Sequence, residues 1–270
     1  MTLTLMHPSG FKARLLANTP QWGLFCCSYS LQIVEALRPS GFDFLIFDAE
    51  HTPGSLPLLH AQLVALAGSS TEAIVRVPEI SLAAFKLYLD LGVTGLMVPN
   101  VDSAEQARTA VSYTRFPPEG RRGMAGSVRA TDYGRHPGQL QQTIERVSVL
   151  IQVESRAGLD SVDEIAAVDG VDAVFLGPND LAADLGHLGQ PAHPQVVGLL
   201  KDALRRIRRA GKAAGVLCSE ADAGTYAAAG ASVLALGSDL GLLVRAADTL
   251  ATRCRANPAT SPVSQKAPTP

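Results

Sequence analysis

Short apolar, β-branched runs recur along the chain, and each is followed by a stretch with helical spacing. The runs are WGLFCCS (22–28), DFLIFDAE (43–50), AIVRVP (73–78), GLMVPN (95–100), SVLIQVE (148–154), DAVFLGP (172–178), AAGVLCS (213–219) and SVLALGS (232–238). Nearly continuous apolar runs of this length suit parallel strands buried on both faces. The stretches between them, such as SLAAFKLYLDLG (81–92) and PQVVGLLKDALRRIRRAG (194–211), suit helices covering such a sheet. Eight strand–helix units predict a closed (β/α)8 TIM barrel, because an open doubly wound sheet normally uses fewer.

Two stretches fall outside this repeat. Residues 113–139, YTRFPPEGRRGMAGSVRATDYGRHPGQ, are rich in Pro, Gly and Arg and read as a structured functional loop. Residues 256–270, ANPATSPVSQKAPTP, are polar and Pro-rich and read as a disordered tail, so the barrel is assigned to residues 1–255.

Composition narrows the function classes. A chain of 270 residues that is 47% hydrophobic fits one barrel domain. A net charge of −2, with Lys and Arg scattered, offers no basic face for a nucleic acid backbone. No apolar run reaches the roughly 18 residues that span a bilayer, and the N-terminus lacks a signal-peptide core; a soluble cytoplasmic protein is expected. Cys26, Cys27, Cys218 and Cys254 show no metal-ligand or redox spacing and read as structural thiols.

Active sites of such barrels lie where strands end and βα loops begin, and polar residues gather there. The second run ends in Asp48, Glu50 and His51, the third carries Arg76, the fifth ends in Gln152 and Glu154, and the sixth leads into Gly177, Pro178, Asn179 and Asp180. The opposite strand ends show nothing comparable. Glu154 and Asp180, read as the ends of adjacent strands, would converge about 5 Å apart. Two such carboxylates repel unless a cation or proton separates them. A hard divalent ion such as Mg²⁺ or Mn²⁺ is one reading; helix capping or arginine pairing is the other. Arg76, in an apolar strand, needs an anion: a substrate oxyanion, or Asp48 or Glu50. His51 is a candidate general base with Asp48 or Glu50 orienting its ring. Strict alternation would point His51 away from Asp48 and Glu50 unless the strand has already turned. The amides of GPND, just before a helix, suit a carboxylate.

GFDFLIFDAEH, IVRVP, LMVPNV, TRFPPEGRRG, LIQVES and GVDAVFLGPNDLAADLGHLG, in this order, resemble the HpcH/HpaI family of metal-dependent pyruvate aldolases over residues 11–253. The chain is similar in particular to 4-hydroxy-2-oxoheptanedioate aldolases and to 2-keto-3-deoxy- or 5-keto-4-deoxy-glucarate aldolases. The resemblance implies Glu154 and Asp180 as ligands of a divalent ion (Mg²⁺, Mn²⁺ or Co²⁺), Arg76 at the pyruvate enolate, and His51 in base catalysis with Asp48 orienting it. It implies Gln152 near pyruvate and the turn Gly177, Pro178, Asn179 and Asp180 at the carboxylate. Phe25 and Leu217 complete the substrate-binding candidates. Phe25 stands where relatives often carry tryptophan, and with Cys26 and Cys27 it marks where the aldehyde half would bind. A hexamer built as a dimer of trimers with exchanged C-terminal helices is also implied, with Asp90 approaching a neighbouring subunit's site.

The expected activity is reversible cleavage of a 4-hydroxy-2-oxo acid to pyruvate and an aldehyde. A Schiff-base route is disfavoured because Lys86 and Lys201 fall on helical patterns and Lys212 begins its strand. Two alternatives stand beside it: a lyase acting on CoA thioesters of the citryl- or malyl-CoA type, and a catalytically silent carboxylate-binding barrel.

Overall fold

Each apolar run forms a strand. The computed structural model describes residues 10–135 and 145–256. Its strands are β1 (Gln21–Cys26), β2 (Phe44–Asp48), β3 (Glu72–Arg76), β4 (Gly95–Val98), β5 (Ser148–Val153), β6 (Ala173–Leu176), β7 (Ala213–Leu217) and β8 (Val233–Ser238). All neighbours pair in parallel, and β8 returns to β1 through Gln21↔Val233 and Trp22↔Leu234, closing the barrel. The tail 257–270 lies outside the described residues, and helix Asp239–Ala256 ends one residue past the expected domain limit. The expected loop at 113–139 overlaps helix Ala104–Thr114 and a 3₁₀ turn, Arg129–Gly134; its residues 136–139 lie outside the described residues. No helix of the described residues is long and apolar enough to cross a membrane.

Strand periodicity decides which side chains fill the barrel. Phe25, Phe44, Ile46, Ile74, Met97, Leu150, Ala173, Phe175, Ala213, Val233 and Ala235 form one buried cluster, separate from the cluster that packs under the helices. Because side chains alternate with period two, Asp48 shares the face of Ile46, Arg76 that of Ile74, and Gln152 that of Leu150. The polar residues therefore continue the interior columns upward at the C-terminal ends of the strands. Gly23 leaves room for the Phe44 ring, whose nearest atom lies 2.2 Å from where a Cβ would sit.

Several covering helices start at serines placed after the strands. Ser30, Ser81, Ser103, Ser155 and Ser219 each accept a hydrogen bond from the amide three residues on, satisfying a donor that the helix start leaves open. This chemistry fixes where these five βα loops end and so where much of the cavity rim stands.

The other end of the barrel departs from the sequence reading, since it too carries polar residues. Helix α1 (Gly10–Leu16) buries Phe11 and Leu15 in the interior cluster. Lys12 Nζ lies 3.2 Å from Asp172 Oδ2 and donates to the Val147 carbonyl at 2.8 Å, and Arg14 Nε donates to Gln21 Oε1 at 2.8 Å. These charges hold a stopper in place; strand-start positions such as Asp172 and Gln21 needed α1 to become legible.

Candidate active site

The C-terminal strand ends surround a cavity of about 350 Å³. Phe25, His51, Arg76, Gln152, Gly177, Pro178, Asn179, Asp180 and Leu217 all line it, joined by Cys27, Phe175, Gly237 and Ser238. Asp48 and Glu154 are buried beside these residues, at 2% and 5% exposure.

β2 does turn immediately after Asp48. Asp48 Oδ1 accepts from the amides of Glu50 (3.1 Å) and His51 (3.4 Å), an Asx-type turn that brings the His51 ring back toward Glu50. His51 Nε2 stands 3.6 Å from Glu50 Oε2, with its side chain 62% exposed. Of the two candidate carboxylates for that ring, Asp48, the one the resemblance implies, is paired instead with Arg76, as one of the arginine's candidate partners: Nε donates to Oδ1 at 2.9 Å and Nη2 to Oδ2 at 2.8 Å. Asp48 and Arg76 are directly paired across the β2–β3 ladder, which accounts for the fork geometry. Glu50 is the ring's carboxylate partner, and its Oε2 also lies 3.2 Å from Arg76 Nη1. Burial works against the Arg76 charge, yet the hydrogen bonds to Asp48 hold its pKa above the ordinary value. Arg76 also lies 5.0 Å above the Phe25 ring, a cation–π contact.

Glu154 follows β5 directly. Asn100 N–H donates to its Oε1 at 3.0 Å, and Gln152 Nε2 donates to its Oε2. Burial pushes the Glu154 carboxyl up to about 7; the Asn100 N–H opposes this, while the charge of Asp180 adds to it. Asp180 is not a strand end as expected: it sits four residues beyond β6, exposed, in the first turn of helix Pro178–Asp184. Pro178 at the helix start imposes this turn.

These residues suit a hard cation on three counts. Glu154 is a buried carboxylate whose ionisation a second carboxylate opposes, a conflict that a divalent ion would relieve. Gln152 Oε1 is buried with no hydrogen-bond partner among the described residues. Gly177 keeps the flank of Glu154 open, since a Cβ there would lie 2.4 Å from Oε2. Among the described residues no cluster of three or more His, Cys, Asp or Glu assembles, so an ion here would take its remaining ligands from water and substrate, as Mg²⁺ commonly does.

Asp90 is not brought to this cavity. It ends helix Leu82–Asp90, and Arg122 Nη2 donates to it at 3.0 Å. Sequence reasoning missed Asn100, Phe175, Ser238 and Asp239. Asn100 donates through Nδ2 to Glu50 Oε1 at 2.9 Å, and Asp239 receives the amides of Cys27 (2.8 Å) and Ser28 (3.2 Å), anchoring the end of β1. Phase-two alternation from Ala173 would have found Phe175. Cys27 lines the cavity, with its thiol pushed up to about 11 by burial and by the neighbouring Asp48 charge, so it is neutral there.

A family model described as HpcH/HpaI aldolase/citrate lyase matches residues 21–246. The chain is 44% identical over 247 residues to a protein of Klebsiella pneumoniae named 5-keto-4-deoxy-D-glucarate aldolase, covering 91% of this chain and 96% of that one. It is similar to the crystal structure of an HpcH/HpaI aldolase/citrate lyase family protein from Burkholderia cenocepacia, with a TM-score of 0.89, 38% identity and coverage of 92% and 100% of the two chains. An HpcH/HpaI aldolase from Desulfitobacterium hafniense superposes with a TM-score of 0.86 at 28% identity, covering 93% of this chain and 98% of that one.

Proposed function

The chain belongs to the HpcH/HpaI aldolase/citrate lyase family, is a carbon–carbon lyase of the aldolase kind, and on that premise we propose that it cleaves 4-hydroxy-2-oxo acids to pyruvate and an aldehyde with the help of a divalent metal. The observation that carries this reading is the convergence on one cavity of Arg76, His51 and Asp180, with Glu154 buried beside them. Glu154 and Asp180 would hold Mg²⁺, Mn²⁺ or Co²⁺. Such an ion supplies Lewis acidity to the oxygens of a 2-oxo acid and offsets charge that builds on the enolate.

The protein's own residues account for the remaining steps. A guanidinium has five N–H groups, and Asp48 takes two of Arg76's. Donors therefore remain for the developing enolate oxygen, in a setting where a preorganised charge is effective. His51 accepts the proton of the C4 hydroxyl while Glu50, 3.6 Å from Nε2, stabilises the resulting imidazolium. The C3–C4 bond breaks, its electron pair passes into the enolate, the aldehyde leaves, and protonation at C3 gives pyruvate. The first-turn amides at Asn179 and Asp180, which lack intrahelical partners, suit the substrate carboxylate, and Gln152, Phe25 and Leu217 wall the space around it.

Imine chemistry finds no support among the described lysines. Lys86 and Lys201 lie on helices Leu82–Asp90 and Pro194–Arg209, while Lys12 and Lys212 donate at 2.8 Å to the Val147 and Val171 carbonyls.

The 44% identical relative supports this substrate class. Counted from its keto end, 5-keto-4-deoxy-D-glucarate is itself a 4-hydroxy-2-oxo acid, and the same bond cleavage yields pyruvate and tartronate semialdehyde. For assembly, helix Asp239–Ala256 leaves Leu242, Leu243, Val244 and Leu250 exposed, which supports a homo-oligomer, a hexamer in this reading, with Asp90 near a neighbouring cavity. Pyruvate release from 5-keto-4-deoxy-D-glucarate and a panel of 4-hydroxy-2-oxo acids should stop in EDTA and return with Mn²⁺. Full turnover in excess chelator, or an imine trapped by borohydride, would overturn the metal reading.

A further inference from the structure

Asn100 occupies an unusual backbone position. It follows Pro99 just past β4, and its φ of +56° places it in the left-handed region. Side chains are disfavoured there, and asparagine is among the few non-glycine residues found there often. The conformation aims the residue's two donors at different carboxylates. Its backbone N–H reaches Glu154 Oε1 at 3.0 Å, and its side-chain Nδ2 reaches Glu50 Oε1 at 2.9 Å. The next amide, Val101 N–H, returns to the Gln152 carbonyl at 3.2 Å, tying this turn to β5.

Glu50 is shared between Asn100, Arg76 and His51. Asn100 occupies its Oε1, leaving Oε2 to Arg76 Nη1 at 3.2 Å and His51 Nε2 at 3.6 Å. A carboxylate with one oxygen anchored cannot swing about its terminal bond, so the anchor determines which oxygen faces the arginine and the histidine. Arg76 has a second partner in Asp48, whereas Glu50 is the one carboxylate among the described residues within ion-pair distance of the His51 ring. Loss of the anchor should therefore act on His51 more than on Arg76.

We propose that Asn100 is a positioning residue that sets the Glu50–His51 pair in register with Glu154, its main chain serving one carboxylate and its side chain the other. The proposal rests on the aldolase reading above, because it assigns the two carboxylates to metal holding and to proton transfer. It also explains why asparagine serves where glycine would relieve the backbone: glycine keeps the turn and the N–H but has no amide for Glu50.

Asn100→Gly separates the two functions. It should bind Mn²⁺, read by calorimetry or by the spin resonance of the free ion, with the affinity of the wild type. Its kcat for aldol cleavage should fall about 10-fold, the effect of losing one hydrogen bond to a charged group, with KM unchanged. Oxaloacetate decarboxylation, which passes through the same enolate and needs no base at a C4 hydroxyl, should stay within about twofold of the wild type. Asn100→Asp keeps the shape but sets a carboxylate against Glu50, and cleavage should fall further than in the glycine variant. Equal loss of both activities in Asn100→Gly, or a weakened affinity for Mn²⁺, would make Asn100 a merely structural residue and overturn the proposal; so would wild-type kcat for cleavage. If the wild-type protein releases no pyruvate from any 4-hydroxy-2-oxo acid, the aldolase reading itself fails, an outcome distinct from these.

Discussion

Replacing Glu154 with glutamine should make the metal-free protein more stable while abolishing metal binding. Burial raises the Glu154 carboxyl from 4.5 to about 7. Between those two values the folded chain holds a proton that the unfolded chain has released, so stability falls as pH rises through that window, and the full cost is present above it. At about 1.36 kcal/mol per pKa unit, the ionised side chain costs the fold about 3 kcal/mol near pH 8. Glutamine removes that charge at little steric expense. Gln152 Oε1 is buried without a partner among the described residues, so a flip of the Gln152 amide lets it accept from the new side chain, while Asn100 N–H can still donate to the retained oxygen. Urea unfolding of chelator-treated protein, followed by circular dichroism, tests this. Near pH 4.5 the two proteins should be alike; near pH 8 Glu154→Gln should be more stable by about 3 kcal/mol, and Mn²⁺ should stabilise the wild type alone. Parallel stability–pH profiles, or a variant less stable than wild type near pH 8, would refute the reasoning.

Three further outcomes follow from the same geometry. Asp180 is exposed on a helix first turn, so Asp180→Ala should change the stability of chelated protein by no more than about 0.5 kcal/mol yet lose Mn²⁺ binding in calorimetry. Arg76→Ala leaves Asp48 buried without its cation, and breaking such a pair costs about 3–5 kcal/mol; denaturant midpoints should fall, and cleavage and oxaloacetate decarboxylation should both drop about 10²- to 10³-fold. His51→Ala should retain wild-type stability and lose cleavage by about 10²- to 10⁴-fold while keeping most decarboxylation, and equal losses of the two activities would withdraw its role as base.

The barrel was legible because its strands are apolar on both faces, so that eight runs stand out above the helices. The cavity wall was legible for a related reason: Asp48, Arg76 and Gln152 interrupt columns whose lower positions are Ile46, Ile74 and Leu150, and a charge at such a place has few structural excuses. What escaped depends on backbone geometry that residue identity does not encode. Both carboxylates were candidates for His51 and for Arg76; the bend after Asp48 sets His51 beside Glu50, and the ladder sets Asp48 opposite Arg76, choices that residue identity left open. Asp180 reads as a strand end only until Pro178 starts a helix before it. Asn100 passes for a loop polar residue because its backbone N–H, invisible in sequence, does half of its bonding. Asp239 opens the last helix and acts on β1, more than 200 positions earlier in the chain.

The stopper at the closed end also bears on the order in which the chain can assemble. Residues 10–16 are synthesised well before their partners: Lys12 waits for Val147 and Asp172, and the seam beside it closes only when Gln21 meets Ser232 and Val233. Until the ribosome has delivered nearly the whole barrel, Phe11 can reach Phe44 on β2 but the completed interior is missing, leaving a small apolar helix in search of cover. Contacts this distant in sequence slow folding, because loop closure precedes their reward. The last strand thus completes the interior that the first helix plugs, and a chain interrupted before residue 232 has no seam to close, however well its earlier strands have paired.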